Sequence, residues 1–180
     1  MHRMFFGPDL FGFLTLHSRD DAGHLGSVLI TDSKGIPMEF RYTRPIKPNA
    51  LQVSLYGTTL LHHVGIELVG RPLIRSVTNK PKLIFVDKPF LLDLANRSQC
   101  PVVCVKEIEA EDDSALSDTN GSEYCIEDLL PVDNTFRPLQ IVQKKEIQSK
   151  TKNLVERLHT EFDVLAPFDR MKRAVETILR

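Results

Sequence analysis

Lys82-Leu83-Ile84-Phe85-Val86 and Pro101-Val102-Val103-Cys104-Val105, with Phe90-Leu91-Leu92-Asp93-Leu94-Ala95 between them, decide the fold. The two outer runs are continuously apolar and rich in β-branched residues, the pattern of strands buried on both faces. Asp87-Lys88-Pro89 ends the first run, and the middle one has the leucine content of a short helix. Strand, helix and strand in so short a span form a βαβ unit, with parallel pairing through a right-handed crossover.

The chain before this unit reads as β. Phe11-Gly12-Phe13-Leu14-Thr15-Leu16-His17 is aromatic and β-preferring, and Ser27-Val28-Leu29-Ile30-Thr31 has strand length. Asp32-Ser33-Lys34-Gly35-Ile36-Pro37 carries turn chemistry throughout. Met38-Glu39-Phe40-Arg41-Tyr42-Thr43-Arg44 then alternates apolar and polar, so a hairpin is predicted. Pro45 and Pro48 stop it, and Asn49 is placed to cap a helix carrying Leu51, Leu55, Leu61, Val64 and Leu68. Gly70 is read as the residue ending that helix, with Pro72 starting another short piece. Phe136-Arg137-Pro138-Leu139-Gln140-Ile141-Val142 is a further strand or an extended connector. Two amphipathic helices follow, with Thr151, Leu154, Leu158 and Phe162 on one stripe and Phe168, Met171, Val175 and Ile178 on the next. The predicted class is therefore α/β: a mixed sheet of N-terminal antiparallel hairpin strands plus a βαβ unit, with C-terminal helices. Residues 1–142 form the mixed domain and 143–180 a helical segment packing on the core or on a partner.

Charge is unevenly placed. The net charge is only −1, yet residues 1–106 carry 13 basic against 8 acidic side chains, and 107–133 carry 10 acidic and none basic. An acidic loop at about 107–123 is predicted, extended by its own repulsion and placed to screen Arg41, Arg44 and Lys47 from polyanions. No run of apolar residues is long enough to span a bilayer, and the N-terminus lacks a signal-peptide pattern, so a cytoplasmic protein is expected. Three cysteines make no disulfide framework.

Motifs for chemistry are sparse. Cys100-Pro101-Val102-Val103-Cys104 is reversed and wrongly spaced for a zinc deaminase, and no His-x-Glu accompanies it. No structural metal site, phosphate-binding glycine loop or serine-hydrolase elbow is present. In the order of its elements, and in no motif, the chain resembles the ribonuclease-H-like nucleases. That resemblance implies carboxylates gathered from strand ends around Mg²⁺. Asp32, Glu39 and Asp87 are the residues that suit it. The plainer roles weigh more: an Asx turn for Asp32, a surface pair with Arg41 or Arg44 for Glu39, a helix cap for Asp87. Arg41, Arg44 and Lys47 form a small basic cluster suited to phosphates.

Two functions emerge. The main expectation is a non-enzymatic regulatory or assembly subunit, with no cofactor, binding another protein or itself through the C-terminal helices and the acidic loop. The alternative is a metal-dependent hydrolase of ribonuclease-H-like architecture acting on nucleic acid, with Asp32, Glu39 and Asp87 holding Mg²⁺ and Arg41, Arg44 and Lys47 meeting the polymer.

Overall fold

The computed structural model describes residues 9–20, 22–108, 124–129, 135–144 and 149–179. Seven strands form one mixed sheet: β1 (Phe11–Arg19), β2 (Gly23–Thr31), β3 (Pro37–Tyr42), β4 (Leu83–Val86), β5 (Val102–Glu107), β6 (Tyr124–Leu129) and β7 (Leu139–Lys144). Their spatial order is β3-β2-β1-β4-β5-β7-β6. The predicted hairpin is present, β2 pairing antiparallel with β3, and so is the parallel pair β4–β5 joined by a 3₁₀ helix, Pro89–Arg97. β1 lies at the junction, antiparallel to β2 and parallel to β4. The fold is α/β.

Each face of this sheet has its own core. On one, Leu14, Leu16, Val28, Ile30, Ile84 and Val86 pack under the helical stretch between β3 and β4 and under the 3₁₀ helix. On the other, Phe11, Phe13, Phe85, Val103, Val105 and Ile141 pack under α4 (Ser149–Glu161) and α5 (Ala166–Ile178). Phe13 stacks on Phe85 at 5.0 Å between ring centroids, and Phe162 and Phe168 meet Phe13 edge-on. Coverage on both sides is why β4 and β5 read as unbroken apolar runs.

This packing corrects the expected role of the C-terminal helices. Val155, Leu158, Met171 and Val175 are buried against the chain's own sheet, so the stripes offered for a partner are already spent.

The segment from residue 50 to 76 also departs from its expected form. Asn49 does cap α1 (Ala50–Tyr56), with Gln52 completing a reciprocal box. A single 3₁₀ turn (Gly57–Thr59) leads to α2 (Leu60–His63), and Val64–Gly70 is π-helical before α3 (Arg71–Ser76). Gly70 has helical angles and does not end the helix. The wider i→i+5 turns shift the helix phase. Val64, Ile66, Val69 and Leu73 reach the core, while Leu51, Leu55, Leu61 and Leu68 face solvent. β2 approaches this segment closely: a Cβ on Gly26 would lie 1.9 Å from Val69 Cγ1.

The acidic stretch is not wholly loop. Its last part is β6, an edge strand in which Glu127 pairs with Lys152 and Asp128 accepts a hydrogen bond from Gln140. Lys152 neutralises Glu127 and the Gln140 amide solvates Asp128, partners that the acidic run does not reveal when read alone. Residues 109–123, where the screening loop is predicted, lie outside the described residues. No described helix is long and apolar enough to cross a membrane.

Candidate functional site

The topology separates the three carboxylates. Asp32 follows β2 at the sheet edge where β1 begins, since Thr31 pairs with Phe11. Its Oδ1 accepts hydrogen bonds from the Lys34 and Ile36 backbone N–H groups at 2.9 Å each, the Asx turn its neighbours predict. Glu39 sits on edge strand β3, opposite Ile30. Its carboxylate accepts from the Thr78 and Asn79 backbone N–H groups, from Asn79 Nδ2, and from Arg41 Nε at 2.8 Å. Burial pushes the Glu39 carboxyl up, but the Asn79, Arg41 and Thr78 bonds outweigh it and bring the group down to about 2. Glu39 thus ties β3 to the chain after α3.

Asp87 lies toward the opposite end of the sheet, just past the end of β4, while β1 runs on beside it to Arg19 and β5 to Glu107. It does not cap the following helix, whose start has no side-chain cap. Thr15 stands beside it on β1, one step past the pair Leu14–Val86, and donates to Asp87 Oδ2 at 2.7 Å. Lys88 Nζ donates to the same oxygen at 3.0 Å. Asp87 Oδ1 is buried and has no hydrogen-bond partner. Sequence reasoning missed Thr15, because only the β1–β4 pairing reveals that it neighbours Asp87.

Further polar residues continue from Thr15 on the same face. His17 Nε2 lies 3.0 Å from Ser27 Oγ, which in turn approaches Met171 Sδ at 3.6 Å. Burial lowers the His17 pKa; Asp87 and Glu176 oppose this, while Lys88 and Lys172 add to it. Lys172 and Glu176 belong to α5, so that helix roofs the site.

The same edge collects basic residues. β3 runs parallel to β1 because both are antiparallel to β2. The chain leaving β3 is held there by paired backbone hydrogen bonds between His24 and Ile46. Arg44 and Lys47, both exposed, therefore share the sheet edge with Lys88 and with Lys106 near the end of β5. Arg41 is drawn back onto Glu39. Of the predicted basic cluster, Arg44 and Lys47 lie toward the end of the sheet that holds Asp87, with β2 and β1 between them and it.

A two-ion hydrolytic centre needs several carboxylates clamping the metals. Among the described residues no three His, Cys, Asp or Glu side chains gather to hold a metal ion. Asp87 already accepts from a hydroxyl and an ammonium, and Glu176 on the roofing helix is the other described carboxylate that acts on the site. This donor set does not fit a two-ion centre.

No family model and no curated protein matches the sequence. Among solved structures, human ENDOV is similar at 13% identity and a TM-score of 0.56, over 98% of this chain and 86% of that one. Ciona intestinalis endonuclease V, in complex with a DNA containing inosine, aligns at 9% identity and a TM-score of 0.45, over 85% and 78%. Marinitoga piezophila Argonaute with guide RNA aligns at 12% and 0.36, over 83% of this chain and 25% of that one. The likeness to human ENDOV extends along nearly the whole chain, and with it the reading as a non-enzymatic regulatory or assembly subunit with a protein partner gives way; what the chain shares with that structure is its α/β fold.

Proposed function

We propose that this protein acts on nucleic acid, on a ribonuclease-H-like scaffold, with the polymer laid across the end of the sheet toward which β1, β4 and β5 run. The observation that carries this reading is that Arg44, Lys47, Lys88 and Lys106, from separate elements, lie toward the same end of the sheet, where Lys88 pairs with the partly buried carboxylate of Asp87. Clustered ammonium and guanidinium groups match a phosphate backbone, and contacts to it supply affinity without sequence preference. Fold likeness to an endonuclease supports the same reading.

Fluorescence anisotropy with labelled single- and double-stranded oligonucleotides tests it. Wild-type protein is expected to bind, with an affinity that falls as salt rises, and Arg44→Gln with Lys47→Gln to bind more weakly on every sequence alike. Absence of binding at low salt would refute the reading.

Metal-dependent hydrolysis at the same edge is the second reading. It is favoured by one observation, the buried Asp87 Oδ1 that no protein donor satisfies.

A further inference from the structure

Nuclease architecture implies a divalent cation, yet the residues at the Asp87 edge are arranged for something else. A carboxylate that shares a metal needs a second anionic donor beside it, and the adjacent strand is the nearest source. On β1 the position facing Asp87 is Thr15, a neutral hydroxyl that donates to Oδ2 at 2.7 Å. The next residue on that face is His17, turned toward Ser27. Neither supplies an anion. The positive charge at this carboxylate is already provided within the chain, by Lys88 Nζ at 3.0 Å from the same oxygen.

Lys88 is placed to do more than neutralise Asp87. Its side chain is 36% exposed, so the ammonium faces both the carboxylate and solvent. An ammonium carries three donors, of which Asp87 takes one. The rest are free to meet an incoming oxyanion, and lysine binds phosphate as a point charge. Asp87 and Thr15 hold the head in position, a preorganisation that an ordinary surface lysine lacks.

Resting on the reading of this protein as one that acts on nucleic acid, we propose that the Lys88 ammonium, buttressed by Asp87 and Thr15, takes the place of the divalent cation at this edge. The protein then binds a backbone phosphate of single- or double-stranded nucleic acid without Mg²⁺ and without cutting it.

The experiment measures binding of a labelled single-stranded oligonucleotide to the full chain across a salt series, in EDTA and in Mg²⁺ or Mn²⁺, with the strand's integrity read on a gel. The expected result is equal affinity in EDTA and Mg²⁺ and an intact strand. Lys88→Gln should weaken binding about tenfold, the scale of a hydrogen bond to a charged group. It should also flatten the logarithmic salt slope by about 0.7, the loss of one phosphate contact on a single strand. A merely structural role for Lys88 would not move that slope. Lys88→Arg, which keeps the charge, should retain the slope. Lys82→Gln, at the opposite edge beside Asp9, should match wild type. Binding that EDTA abolishes, a cleaved strand, or a Lys88→Gln slope equal to that of Lys82→Gln each overturns the proposal while the wider reading stands. A wild-type protein that binds no oligonucleotide overturns both.

Discussion

At the scale of single residues, Glu39 and Thr15 show how position governs the work of a polar side chain. Glu39 holds its charge down to about pH 2 because backbone and side-chain donors from Thr78, Asn79 and Arg41 surround it. Its folded-state pKa lies below the ordinary 4.5. The resulting stability is full above that ordinary value and is lost as pH falls from it toward the folded-state pKa. Glu39→Gln should therefore melt at lower temperature than wild type near neutrality, and the gap should close in acid; thermal melts across the acid range check this. Thr15→Val removes the hydroxyl donor from Asp87 in a buried setting and should cost about 1–3 kcal/mol in urea unfolding. The Asx turn at Asp32 was legible in the sequence because all its partners lie within four residues. The Glu39 clamp and the Thr15–Asp87 pair were not, because their halves are 40 and 72 residues apart.

Among the elements, strands proved more readable than helices. Val28, Ile30, Leu83, Phe85, Val103 and Val105 were expected in the sheet and are buried there. Phe40, expected with them, is only partly buried because β3 is an edge strand. Of the stripe Leu51, Leu55, Leu61, Val64 and Leu68 only Val64 is buried: α1 has no buried residue and breaks at Gly57, and the π-helical turns of Val64–Gly70 leave Leu68 facing solvent. β6 went unread because its partners come from other elements, a counter-charge from Lys152 for Glu127 and a hydrogen bond from Gln140 for Asp128. The contact between β2 and the π segment gives the prediction at this scale. Gly26→Ala forces Val69 or the strand to move and should destabilise by about 1–3 kcal/mol. Urea titration measures it, and a neutral result would mean that the two elements are less tightly apposed.

For the whole molecule, one sheet serves two cores, so damage to either face is felt by all seven strands. Phe85→Ala opens a cavity at the Phe13 stack and should cost about 3–5 kcal/mol. Far-ultraviolet and tyrosine signals should still unfold together. Removing 145–180 strips the cover from Phe13, Phe85 and Val103 and should leave an aggregating chain, scored by light scattering. The π segment bears on the whole in another way, as one residue of slack between α2 and the anchored α3. An α-helix turns by about 100° per residue. Deleting the exposed Leu68 would let regular turns run through the segment and rotate α2, which is continuous with it, by about that angle, presenting another side of Leu61 to water. A change of one codon would thus re-aim a helix while leaving the sheet beneath it intact.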